Sequence, residues 1–239
     1  MKAKEFITES IEDKGIFKAM FFGGLPGGGK STVLSKITDG TIAPRVVNTD
    51  KTYDFLLDKN QQEASNIAWA LFGPLSKTMN KNMLFNYLNS MLPLFIDGTS
   101  ANTGSLLRRD GILKSIGYDT SMIWVNIELD TAIERMYQRS RKVDTSFIKH
   151  VHKSSENNKK YYQSTFGANF IEVDNNDDNF SAMETKTFNI ASQFFNSTVS
   201  NPIGNKTIND MKERKEKYLT PNMFKKDYID RLISVWYQQ

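Results

Sequence analysis

The stretch Ala19-Met-Phe-Phe-Gly-Gly-Leu-Pro-Gly-Gly-Gly-Lys-Ser-Thr32 decides the fold. It sets an apolar strand directly before the pattern GxxxxGK[ST], with Gly24, Gly29, Lys30 and Ser31 at the four diagnostic positions. Glycines at 24, 27, 28 and 29 let the backbone turn its N–H groups inward around a di- or triphosphate. A helix starting near Lys30 aims its positive end at the same anion. In this arrangement Gly24, Leu25, Pro26, Gly27, Gly28, Gly29, Lys30, Ser31 and Thr32 line the nucleotide cradle. Lys30 reaches the β- and γ-phosphates, and the Ser31 hydroxyl joins a Mg²⁺ shell. ATP and Mg²⁺ are the implied ligands. The bland alternative, a glycine-rich turn with no ligand, would need neither the strand before it nor the helix after it.

Working outward, residues 16–22 read as the first strand, preceded by a polar arm over 1–15, and a helix runs from the loop to about Ile37. A short β-branched strand, Arg45-Val-Val-Asn48, puts Thr49 and Asp50 at its carboxyl end, where open α/β sheets bind ligands. Residues 59–91 are helical in pattern. Ile67, Ala70 and Leu71 share one face, an interruption falls at Gly73-Pro74, and a second run passes through Met83, Leu84, Tyr87, Leu88 and Met91. This αα insertion, about 59–92, reads as core packing rather than a base-stacking platform.

Leu94-Phe-Ile-Asp97 is a third strand ending in a carboxylate, followed by a basic helix over 106–116 and a fourth strand centred on Met122-Ile-Trp-Val125. A helix over 130–142 turns Ile133, Met136 and Tyr137 inward, and Asn169-Phe-Ile-Glu-Val-Asp174 gives a fifth strand. Strands alternating with helices predict a five-stranded parallel sheet with helices on both faces. The polar, turn-rich residues 195–205 mark a boundary, which divides the chain into a domain over 1–195 and a helical extension over 196–239. In that extension Phe224, Tyr228, Leu232, Val235 and Trp236 fall at helical spacing and predict a helix docked on the main domain.

Composition is that of an ordinary globular chain, 39% hydrophobic and 24% charged, with no apolar run long enough to span a bilayer. There is no cysteine, hence no disulfide framework, and residues 1–10 lack the apolar core of a secretory signal, so the expected compartment is cytoplasmic. Net charge is +4, with basic clusters between 206 and 226 that suit a polyanion or a solvated helix face. His150 and His152 diverge on a helix, and no further ligand completes a metal site with them.

Three features turn a nucleotide site into a phosphotransferase site. Asp50 follows the second strand, where a carboxylate can accept a proton from an attacking hydroxyl; the competing reading is an N-cap for the helix over 51–57. Asp97 ends an apolar strand in the Walker-B manner, placed to hold Mg²⁺. Arg135, Arg139 and Arg141 crowd one helix end, with Arg135 and Arg139 at i,i+4, where like charges repel unless an anion lies between them. Gly104, Ser105, Arg108 and Arg109 adjoin the same strand ends and are candidates to touch the acceptor.

Residues 16–175 resemble the P-loop kinases related to zeta toxins and to the kinase domain of polynucleotide kinases, a group also widespread in bacteriophages. The resemblance is carried by Phe21-Phe-Gly-Gly-Leu-Pro-Gly-Gly-Gly-Lys-Ser-Thr32, Asn48-Thr-Asp50, the Asp97-Gly-Thr99 turn with its basic helix, Gly117-Tyr118, and Ala132-Ile-Glu-Arg-Met-Tyr-Gln-Arg-Ser-Arg141. It implies that Asp50 activates the acceptor hydroxyl and that Arg139 and Arg141 sit in a lid, about 137–160, over the ATP phosphates. Polynucleotide kinases typically carry an arginine three residues after the strand-two aspartate; here that position is Tyr53. The implied acceptor is a hydroxyl on a nucleoside or nucleic acid, met by Tyr53, Arg108 and Arg109, with the Tyr53 and Trp69 rings available to stack on a base. A sugar nucleotide is the second candidate. The rival from another class is a nucleotide-regulated interaction module, which would need no base at Asp50.

Overall fold

The computed structural model describes residues 10, 12–25, 27–30, 44–98, 100–138, 144–176, 180–214 and 224–238. The polar arm before residue 10 and the helix expected after Lys30 lie outside the described residues. Five strands, β1 (Lys18–Gly24), β2 (Arg45–Val47), β3 (Leu94–Asp97), β4 (Asp119–Asn126) and β5 (Phe170–Asp174), form one sheet in the order β2-β3-β1-β4-β5. Every pairing is parallel, and Phe22 lies opposite Asp97 on one side and Ile123 on the other. From β1 the chain runs to β2 and β3 on one side and then crosses to β4 and β5 on the other. The topological switch point therefore lies at the carboxyl end of β1, where the glycine-rich loop begins.

Strand alternation explains why both faces are covered. Ala19, Phe21, Leu94, Ile96, Met122 and Trp124 point to one face, into a core shared with Leu84, Leu88, Leu113, Tyr162, Phe166 and Trp236. Met20, Phe22, Phe95, Ile123, Val125 and Val173 point to the other, against Met183, Ala191 and Phe195. The described helices are α1 (Thr49–Lys59), α2 (Asn66–Asn89), α3 (Thr103–Ser115), α4 (Leu129–Tyr137), α5 (Thr145–Phe166), α6 (Phe180–Asn196), α7 (Pro202–Glu213) and α8 (Lys226–Trp236), of which α2, α3, α5, α6 and α8 supply these partners. Among the described residues no helix is long and apolar enough to cross a membrane.

The helical insertion differs from its sequence reading. Its break falls at residues 60–65, and α2 runs through Pro74 without interruption. Gly73 makes room for the Trp69 indole, 3.1 Å from where a Cβ would stand, and Trp69 in turn meets the Tyr53 ring edge-on at 4.8 Å. The expected inward face is also rotated: Ile67 and Leu71 are 75% and 67% exposed, whereas Ala68, Ser76, Asn80, Leu84 and Leu88 are buried. Two members of that buried stripe are polar, so apolar periodicity alone picks the wrong face of its first half. Tyr137, expected inward, is exposed and shares a hydrogen bond with Thr145; Ala132 and Met136 are the residues of α4 that go in.

α8 docks where its spacing suggests, though Ile229, Ile233 and Trp236 form its buried edge while Tyr228 faces out. Residues 197–201 are a clamp at the amino end of the sheet. The Lys18 ammonium, 2% exposed, donates to Asp119 Oδ2 at 2.7 Å, Ser197 Oγ at 2.9 Å and the Thr198 carbonyl at 2.9 Å. Asp119 also accepts from the Ser200 amide and hydroxyl and from the Asn201 amide. α7 then crosses the turn before β4 so closely that a Cβ on Gly204 would stand 2.2 Å from the Gly117 carbonyl oxygen.

Candidate active site

The phosphate loop leaves β1 through Gly24, whose φ of 128° and whose approach to the Val125 carbonyl, 2.5 Å from an added Cβ, admit no side chain. Gly27, at φ 87°, lies equally close to the backbone of Ala132 on α4. The loop is braced from behind: Asn175, 1% exposed at the end of β5, donates through Nδ2 to the Gly28 carbonyl at 2.8 Å. Arg135 donates to the Asn175 carbonyl at 3.0 Å, so this arginine of the basic helix end ties α4 to the loop's brace. Leu25 packs with Ile127, Ala132 and Val151. The Lys30 ammonium donates to the carbonyls of Gly24 and Leu25, at 2.7 and 2.6 Å, and is thereby held across the mouth of the loop. Pro26, Ser31, Thr32, Arg139 and Arg141 lie outside the described residues.

One amide joins the ends of β2 and β3. Asn48 Nδ2 donates to Asp97 Oδ2 at 2.7 Å, while its Oδ1 accepts from the Asp50 amide at 2.7 Å and caps α1. The cap is thus Asn48. Asp50 stands exposed in the first turn, where a carboxylate also interacts favourably with the helix dipole. Behind Asn48, the buried Asn80 of α2 donates to the Asn48 carbonyl at 3.3 Å and to Thr52 Oγ1. Sequence reasoning passes over Asn80, Asn175 and the side-chain role of Asn48. For Asn80 the available signal is a polar residue in helical phase with Ser76, Leu84 and Leu88.

Beside Asp97 opens a pocket of about 200 Å³ lined by Phe21, Ile96, Asp97, Asn102, Ser105 and Arg109, among others. Asn102 caps α3 through the Ser105 amide. α5 closes the back of the connection after β3: Tyr162 donates to the Ser100 carbonyl at 2.6 Å and Asn158 to the Ala101 carbonyl at 2.9 Å. Arg109 is held under the C-terminal turn, its guanidinium 5.3 Å from the Trp236 ring. Burial lowers its pKa, with the neighbouring Tyr237 acting in the opposite sense. Tyr237 is itself pushed up to about 12 by burial, against the opposing pull of Arg109. Arg108 turns away, donating to the Gln238 carbonyl at 2.9 Å.

The structure therefore brings Asp97, Ser105 and Arg109 to one pocket and does not bring Tyr53 there. Tyr53, 2% exposed, packs with Leu57 and Ala68, and its ring meets that of Trp69 in a T-shaped contact. Among the described residues no group of three His, Cys, Asp or Glu side chains is placed to hold a metal ion. A single strand-end carboxylate such as Asp97 suits Mg²⁺, which draws most of its oxygen ligands from phosphates and water.

No protein-family model matches the chain, and no curated protein matches it in sequence. In three dimensions it is similar to a putative kinase from Chloroflexus aurantiacus J-10-fl, at 14% identity over 74% of this chain and 97% of that one, with a TM-score of 0.51. It is similar also to a gluconokinase from Sinorhizobium meliloti 1021 (12% identity, 75% and 94% covered, TM-score 0.48). A third likeness is to a shikimate kinase from Bacteroides thetaiotaomicron (10% identity, 73% and 96% covered, TM-score 0.45). The likeness is one of fold: the chain has the parallel five-stranded α/β architecture of P-loop kinases.

Proposed function

We propose that this chain is an ATP- and Mg²⁺-dependent kinase that transfers the γ-phosphoryl group to a hydroxyl of a nucleoside or nucleic acid. The observation that carries the reading is the Asn48 bridge, which fixes Asp97 and the first turn bearing Asp50 together at the sheet end where the phosphate loop begins. A module that only binds nucleotide has no use for a second acidic residue whose backbone is tied to the first.

In this reading the loop amides and Lys30 bind the β- and γ-phosphates, and Lys30 exchanges its carbonyl partners for phosphate oxygens. Asp97 and Ser31 would hold Mg²⁺, which when bound offsets phosphate charge. Asp50 accepts the proton of the acceptor hydroxyl as its oxygen bonds to the γ-phosphorus and the bond to the β-phosphate oxygen breaks, leaving ADP. Arg139 and Arg141 neutralise charge on the transferring group. The pocket of Asp97, Ser105 and Arg109 receives the acceptor.

The pocket's small volume, about 200 Å³, favours a second reading, a sugar-nucleotide acceptor whose sugar alone enters. A transfer screen with γ-labelled ATP over nucleosides, hydroxymethylated DNA, 5′-hydroxyl oligonucleotides and sugar nucleotides separates the two. Label in a nucleic acid, with affinity falling steeply as salt rises, supports the first reading. Label confined to UDP-sugars selects the second. A folded, nucleotide-binding protein that labels no acceptor overturns both.

A further inference from the structure

Among the described residues Arg109 is the one cation lining the pocket beside Asp97, and the way it is held differs from that of the other described lysines and arginines of the site. Lys30 is held on carbonyl oxygens, and Arg108 and Arg135 each donate to a backbone carbonyl. Arg109 instead lies over an aromatic ring: Trp236, itself 1% exposed, is 5.3 Å from its guanidinium, and Tyr237 and Arg108 are the neighbouring groups that act on its charge. Its Nε, like that of Arg108, is buried and has no hydrogen-bond partner among the described residues.

An aromatic face attracts a guanidinium through the ring quadrupole, yet it consumes none of the in-plane N–H donors. An arginine held over a ring is thus fixed in position while its two terminal Nη groups stay available for contact with an oxyanion. Arg108, one position earlier on α3, completes the device by tethering the Gln238 carbonyl, so residues 236–238 are pinned over the helix that presents Arg109. The nearest lining carboxylate, Asp97, is occupied through Oδ2 by Asn48.

We propose that the C-terminal turn, residues 236–238, is a built part of the acceptor site: it sets Arg109 as the pocket's oxyanion ligand, so the acceptor carries a phosphate or carboxylate group beside the hydroxyl that is phosphorylated. The inference rests on the kinase reading above and adds to it the charge class of the acceptor and a role for the extension. Arg109 is the binding residue; Trp236 and Tyr237 are positioning residues.

The test uses the full chain with its phosphate loop filled by Mg²⁺ and a non-hydrolysable ATP analogue, so that added anions report on the second site. The Arg Nε–H resonances are followed by NMR during titration with inorganic phosphate and, separately, acetate; the tighter of the two identifies the source of the oxyanion. The Arg109 resonance should shift saturably, and Arg109→Gln should weaken anion binding about 10- to 100-fold, as loss of a charged hydrogen bond predicts. Trp236→Phe, which keeps a ring face, should bind like the parent, while Trp236→Leu should lose about 10-fold with nucleotide affinity unchanged. If Trp236→Leu does not fold, Tyr237→Leu replaces it, with the same direction expected. Anion binding unaltered in Arg109→Gln, or unaltered in a folded ring-deleted variant, overturns the inference. Failure of the analogue to bind with dependence on Lys30 would instead overturn the kinase reading itself.

Discussion

At the amino end of β1 the ammonium of Lys18 meets a carboxylate, a hydroxyl and a carbonyl, and the carboxylate, Asp119, meets three further donors. At the carboxyl ends of β1 and β3 the partners are neutral: Asp97 is held by the amide of Asn48, the Gly28 carbonyl by the amide of Asn175 and Arg109 by an indole, while the ion pair of Lys159 with Glu172 lies farther along, beside β4 and β5. The first end cancels charge inside the chain. The second fixes charge in space without cancelling it, and a group held in that way keeps its field for a ligand. The difference separates an end that binds the fold together from an end that presents its charge to a ligand.

Substitutions at the two ends should therefore separate activity from stability. The largest effect is expected for Asp50→Asn, which keeps the shape but removes the base: nucleotide affinity persists while transfer to the acceptor falls about 10²–10⁴-fold. Steady-state kinetics beside nucleotide titration checks this, and transfer at the parental rate would require a different base.

Lys18→Met should act in the opposite way. It strands Asp119 at a site where only 10% of its side chain is exposed, so unfolding free energy should drop by about 3–5 kcal/mol with nucleotide affinity unchanged. Chemical denaturation reads the loss; an unmoved midpoint would mean the clamp holds nothing. The same pair sets an acid limit. Burial raises the Asp119 pKa, but the hydrogen bonds from Lys18 and Ser200 outweigh it and leave the value below that of an ordinary aspartate. Because the folded value is the lower one, this stabilisation is fully present above the unfolded value, about 3.9, and is lost as pH falls through the folded value. Stability measured from pH 5 downward should fall more steeply in the parent than in Asp119→Asn.

Lys30→Ala removes a charge from the cradle and should cost about 10²-fold or more in turnover while the melting temperature holds. Near-normal transfer by the folded variant would remove Lys30 from the site. The smallest effect should come from Gly204→Ala, whose methyl meets the Gly117 carbonyl and forces α7 off β4. A loss of about 1–3 kcal/mol in stability, with kinetics unaltered, is expected from such overpacking.

Much of this architecture is legible in the chain. Strand β3 falls at the residues its pattern marks, and the GxxxxGK[ST] run opens at the switch point of the sheet. What escapes is whatever depends on a partner distant in sequence. Asn175 and Gly28 lie 147 positions apart, and Arg108 and Gln238 lie 130 apart, so no local window contains either pair. The wrong face assigned to the start of α2 has a different cause: Ser76 and Asn80 are buried because they hydrogen-bond, and a pattern that counts only apolar residues reads them as surface. Pro74 misleads for a third reason, since a proline weakens a helix without forbidding one that tertiary packing supports.

Asn48 has one more consequence. Since a single side chain spans from the cap of α1 to the carboxylate of β3, the backbone bearing Asp50 and the Asp97 carboxylate are tied together as one part, whereas the pocket wall beside them is built on α3, with residues 236–238 behind it. On the kinase reading proposed above, chemistry and choice of substrate are thereby divided between separate pieces of the molecule. A lineage carrying this scaffold could then exchange α3 and the turn over 236–238 for others, and so change the acceptor, without untying the backbone of Asp50 from Asp97.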